Sequence, residues 1–95
     1  MRFDPVECGK RIKSLRKENG FTQMQLSETL KISFDHLRAI EHGRRTCSIE
    51  LLVDLHVLFD VSLDYLILGK TSRLDLVKAE LQKAAEMIDK AKREL

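Results

Sequence analysis

Residues 22–45 read TQMQLSETLKISFDHLRAIEHGRR, and their reading decides the fold. Thr22 is placed to cap a helix, and Gln25, three residues on, completes a capping box. Leu26 and Leu30 lie four apart, so they share one helical face. Only three residues separate Leu30 from Phe34, and Ser33 can cap a second helix there. Leu37 and Ile40 form the inner stripe of that second helix, and Gly43 ends it. Phe34, Asp35, His36 and Arg38 then point away from the apolar stripe. Packing gives no reason for that outward set.

The flanks continue the pattern. In FDPVECGKRIKSLRKENG, residues 3–20, Asp4 is the expected N-cap, Pro5 suits the first helical position and Glu7 has capping-box spacing. Ile12 and Leu15 supply part of its inner face; Lys10, Arg11, Lys13, Arg16 and Lys17 fill much of the rest, and Gly20 is the stop. Downstream, Ser48 caps IELLVDLHVLF, where Leu51, Leu52, Leu55, Leu58 and Phe59 are expected to make a broad apolar face. Ser62 caps LDYLIL, closed by Gly69. Five short helices up to residue 70 make one domain, residues 1–70.

Residues 71–95 differ. Ser72 and Asp75 form a capping-box-like start. Leu74, Val77, Leu81, Ala84, Ile88, Ala91 and Leu95 then alternate spacings of three and four, which is a heptad seam. So regular a period favours a partner helix, and the expected role is dimerisation. The alternative is that the helix folds back on its own bundle.

Composition agrees with an all-α, globular chain: 43% of residues are hydrophobic, 34% are charged and there is no tryptophan. Charge is uneven. Residues 1–49 carry ten Lys/Arg against six Asp/Glu, a net of +4, while residues 50–69 carry Glu50, Asp54, Asp60 and Asp64 and no base. Such a domain could turn one face to a polyanion, or the asymmetry could be ordinary surface variation. Cys8 and Cys47 form no CxxC and have no His at metal-ligand spacing, so two idle thiols are expected rather than a disulfide or a zinc site. The N-terminus has no signal-peptide pattern, and the most apolar run is broken by Asp54, His56, Asp60 and Asp64. The expected compartment is the cytoplasm. No catalytic constellation, cofactor motif, metal site or room for a small-molecule ligand is evident.

Two short helices joined by a tight turn can cross steeply. One then lies across a DNA backbone while the other enters the major groove. The geometry needs a small residue midway along the first helix, met by Ser27, and an apolar plug in the turn, met by Ile32. With TQMQL, the IS before the second helix, IEHGRR and VSLDYLILG in order, residues 9–69 resemble the Cro/repressor-type (XRE-type) helix-turn-helix family.

The resemblance implies a five-helix Cro/repressor-like bundle, with the C-terminal amphipathic helix added. It also implies a sequence-specific DNA-binding regulator of transcription, expected to repress and to bind as a homodimer on a pseudo-palindromic site. It places Thr22 and Gln23 against a phosphate. Ser33, Phe34, Asp35, His36, Arg38 and Ala39 fall on the groove-facing side, and Arg44 and Arg45 in a loop on the backbone. Arg16 and Glu41 match an internal salt bridge. Arg38 suits guanine, Asp35 a cytosine amino group and Phe34 a thymine methyl. Asp35 is equally read as favouring the helix N-terminus, and Phe34 as a staple on the core. His36 is read as facing phosphate or solvent; His42 and His56 carry no functional reading. Lys31 stands where the family usually has glycine, so a slightly different turn is expected there. Cys47 stands at a common proline position. A rival from another class is a protein-interaction module, of antitoxin or anti-repressor type, with a minor DNA role.

Overall fold

Capping side chains set where the first five helices begin. The computed structural model describes residues 2–71 and 73–94, the side chains of residues 73–75 excepted. Among these residues the chain forms α1 (Pro5–Glu18), α2 (Gln23–Leu30), α3 (Phe34–Glu41), α4 (Ile49–Phe59), α5 (Leu63–Leu68) and α6 (Arg73–Glu94), with no strand. Thr22, Ser33, Ser48 and Ser62 each accept the backbone N–H three residues ahead, and Thr22 and Gln25 form the full reciprocal box. At α1 the box is half made. Asp4 accepts from Val6 and Glu7, but the Glu7 carboxylate accepts from Lys10 at 3.3 Å instead of returning to the cap.

The turn between α2 and α3 holds Lys31 at φ 57° and ψ 40°. Lysine thus adopts the left-handed conformation that glycine would take without strain, at a cost of about 1–2 kcal/mol. The turn is not rebuilt around it. Lys31 N–H bonds the Glu28 carbonyl at 3.2 Å and Ile32 N–H the Ser27 carbonyl at 3.0 Å.

Ile12, Leu26, Leu37, Ile40, Leu55 and Leu66 are fully buried and join α1 to α5 around one core. Ser27 is buried too, its hydroxyl donating to the Met24 carbonyl at 2.8 Å, and Ile32 packs on the core's edge. Gly9 lets α1 touch the end of α3 backbone to backbone. A Cβ there would lie 2.4 Å from the Ile40 carbonyl oxygen. One expected core residue is displaced: Leu58 is 37% exposed. It lies with Val57 on a shallow cleft rimmed by Thr29, Lys31 and Asp54 rather than under α5.

Cys8 and Cys47 are free and buried. Burial raises both thiols, Cys47 to about 12, with the nearby Cys8 adding to the shift. Both stay protonated at neutral pH.

Helix α6 leaves this pattern. Every side chain described in it, from Leu76 on, is exposed. It meets the bundle near its start, where Lys78 pairs with Asp60 at 3.1 Å. Lys78, Ala79 and Gln82 face Leu15, Phe59 and Tyr65 across a cleft. The proposed cap at Ser72 and the seam's last residue, Leu95, lie outside the described residues, as does the Leu74 side chain.

Candidate nucleic-acid interface

A buried ion pair fixes the helix that carries the outward face. Arg16 Nε donates to Glu41 Oε2 at 2.8 Å and its Nη2 to Oε1 at 3.2 Å, a two-pronged contact between α1 and the end of α3. Arg16 Nη1 also donates to the Phe21 carbonyl at 3.0 Å. Gln23 completes the set, its Nε2 donating to Glu41 Oε1 at 3.1 Å. One carboxylate therefore ties α1, α2 and α3 together.

That arrangement changes what the start of α2 has to offer. The Gln23 amide N–H₂ is turned inward, a role the sequence reading missed because its partner lies 18 residues away. The first N–H groups of a helix have no intrahelical acceptor, and those of Gln23 and Met24 are in this state. Thr22 Oγ1 accepts from Gln25 N–H at 3.1 Å, which leaves its own proton free to donate. Ser33 Oγ, accepting from His36 N–H at 3.1 Å, is in the same state.

On α3 the inner and outer faces are cleanly split. Leu37, Ile40 and Glu41 are buried, and Asp35 and Arg38 are exposed. The Arg38 guanidinium lies over the Phe34 ring, 5.7 Å from its centroid. Phe34 is half-buried and serves as a platform for Arg38. Asp35, Arg38, Ala39, His42 and Arg44 line one depression of about 230 Å³. Arg45 Nη1 meets His36 Nδ1 at 3.4 Å. The outward residues of α3 and the arginines that follow thus form one continuous surface.

The two histidines present opposite chemistry. Arginine only donates, so His36 Nδ1 is the acceptor and its Nε2–H points away as a donor. A carbonyl only accepts, so His42 Nδ1 carries the proton given to the Arg38 carbonyl at 2.8 Å. His42 is a surface residue of this site that the sequence reading left without a role. Its i to i+4 spacing from Arg38 was the available signal.

The basic face of α1 contributes less than its charge suggests. Arg11 donates to the Leu66 carbonyl at 3.1 Å and the Ile67 carbonyl at 3.0 Å, capping the end of α5. Arg16 is buried in its pair and Lys10 holds Glu7.

A family model described as a helix-turn-helix domain matches residues 9–72. The chain belongs to the Cro/repressor (XRE) type of helix-turn-helix proteins. It is 32% identical over 85 residues to the HTH-type transcriptional regulator ImmR of Bacillus subtilis, covering 85% of this chain and 67% of ImmR. It is 33% identical over 66 residues to the HTH-type transcriptional regulator RamB of Mycobacterium tuberculosis, a match that spans 70% of this chain but 14% of RamB. Among solved structures, the restriction-modification controller protein C.AhdI of Aeromonas hydrophila superposes with a TM-score of 0.61 at 25% identity, over 67% of this chain and 97% of that one. The XRE-type protein is accordingly a DNA-binding transcriptional regulator, with the helix-turn-helix formed by α2 and α3. Among the described residues no helix is long and apolar enough to cross a membrane.

Proposed function

We propose that this regulator represses transcription as a homodimer on a pseudo-palindromic DNA site, in the cytoplasm, by binding rather than by catalysis. The observation that carries the reading is the joining of Asp35, Arg38, Ala39 and Arg44 around one depression, with Phe34 beneath Arg38 and His36 against Arg45. The depth of the groove is reached by α3 and its walls by the loop. Arg38 donates to guanine O6 and N7, and Phe34 and Ala39 pack against a thymine methyl. Asp35 accepts from a cytosine amino group. Arg44, Arg45, His36, Ser33 and Thr22 donate to phosphates, and Gln23 does so through its backbone N–H.

Each copy carries one recognition helix. A two-fold pair therefore sets two of them about one helical turn apart, roughly 34 Å. The seam of α6, with Val77 43%, Leu81 65% and Ile88 57% exposed, supplies an apolar surface for that pairing.

Selection of bound sequences from a random duplex pool, with the full chain, tests this. Two inverted half-sites about ten base pairs apart are expected, with affinity falling steeply as salt rises. A single half-site would remove the dimer. No enrichment, with salt-insensitive binding, would point to a protein partner instead.

A further inference from the structure

The seam of α6 has an uneven distribution of bulk. One core position of the heptad holds Leu81 and Ile88, while the other holds Val77, Ala84 and Ala91. If a second copy lay parallel and in register, like would meet like. Leu81 would face Leu81, and Ala84 would face Ala84. Large layers would hold the helix axes apart where the alanine layers need them close, and voids would remain. With the second helix reversed, Leu81 meets Ala84 of the partner subunit and Ile88 meets Val77 of the partner subunit. Each such layer then holds one larger and one smaller side chain, and the volume is more even along the pair.

We propose that α6 pairs with α6 of a second copy in antiparallel orientation, in the register that sets Leu81 against Ala84 and Val77 against Ile88. This rests on the dimer reading above and adds its geometry. A further observation supports it. The bundle lies beside Lys78, Ala79 and Gln82, on the side of α6 away from Val77, Leu81, Ala84 and Ile88, so a second helix reaches the seam without displacing the bundle.

The register also sets where the bundles hang. Position 73 falls opposite position 92, so the two bundles join the helix pair 19 residues apart along its axis. At about 1.5 Å per residue that is about 28 Å. The contact is small. A helix face about 33 Å long and 10 Å wide offers roughly 330 Å² per copy, against about 800 Å² in a standard interface. Pairing is therefore weak in dilute solution and is completed on DNA.

Crosslinking decides the orientation. Val77→Cys and Ile88→Cys are made separately in the full chain, at exposed positions, and oxidised in air with a copper catalyst at tens of micromolar protein. In the proposed register the two copies of position 77 lie eleven residues apart, about 16 Å, beyond the reach of a disulfide. Neither variant alone is expected to crosslink, and an equimolar mixture should give the disulfide dimer at several-fold higher yield. The unsubstituted chain is the control, its own thiols being buried. Strong crosslinking of Val77→Cys by itself would overturn the antiparallel arrangement and leave the dimer standing. A dimer in sedimentation with no crosslink in any sample would place the interface elsewhere and overturn the proposal. A monomer both in sedimentation and on DNA would sink the dimer reading itself.

Discussion

In the bundle Ile12, Leu26 and Leu66 are 0% exposed; in α6 Leu81 is 65% and Ile88 57% exposed. The residue types are the same and the helical periodicity is equally regular. The difference is where the covering surface comes from. Each helix of the bundle has neighbours within about 60 residues of its own chain that close over its apolar face. Helix α6 carries an apolar face that its own chain leaves open. A hydrophobic period thus says that a face must be covered, and is silent about which molecule covers it.

The sharpest way to break the contrast is to attack the bundle at its buried Arg16–Glu41 ion pair. Glu41→Ala leaves Arg16 buried without its carboxylate and Gln23 without its acceptor. Stability to urea should fall by about 3–5 kcal/mol. A variant that melts normally yet fails to bind DNA would show that Glu41 serves the interface rather than the fold.

The outer face of α3 should behave in the reverse way, because it is spare to folding. Arg38→Ala is expected to weaken binding to the selected site by about 1–3 kcal/mol and to relax preference at one base pair, with little change in melting. Equal losses on specific and random DNA would make Arg38 a phosphate contact. Replacing Arg44 and Arg45 together with Gln should weaken binding to all sequences alike. It should also flatten the dependence of log affinity on log salt by about one unit per lost contact. An unchanged slope would take the loop out of the interface.

The smallest effect belongs to the tail. A chain ending at Lys70 loses the Lys78–Asp60 pair, which is solvent-exposed and worth about 0–1 kcal/mol. Its unfolding in dilute solution should stay within that range of the full chain, while its sedimentation shifts from dimer to monomer at tens of micromolar. A large loss of stability would mean that α6 is a working part of the bundle. Dimers of the shortened chain would mean that the tail is not what joins the copies.

The sequence alone determined where the helices up to residue 69 begin, and where α1, α3 and α5 end. Each depends on a cap or a left-handed residue that acts within a few positions: Thr22 with Gln25, Ser33 with His36, Gly43 after α3. It also placed Arg38, Arg44 and Arg45 outside, because the apolar stripe of Leu37 and Ile40 leaves one way for α3 to turn. The left-handed Lys31 shows that even an unfavourable residue yields when both neighbouring helices are capped. Only the tertiary structure decided how the polar residues were divided between fold and interface. Gln23 was turned inward by a carboxylate 18 residues on, and Arg11 was drawn from the basic face of α1 to carbonyls 55 and 56 residues on. Leu58, which fits the apolar period of α4, stayed at the rim of a cleft it shares with Thr29 and Lys31. Local hydrogen bonds repeat at fixed spacings and can be read along a chain. A polar side chain's choice between solvent and a distant buried partner depends on which backbones meet, and no spacing along the chain records that.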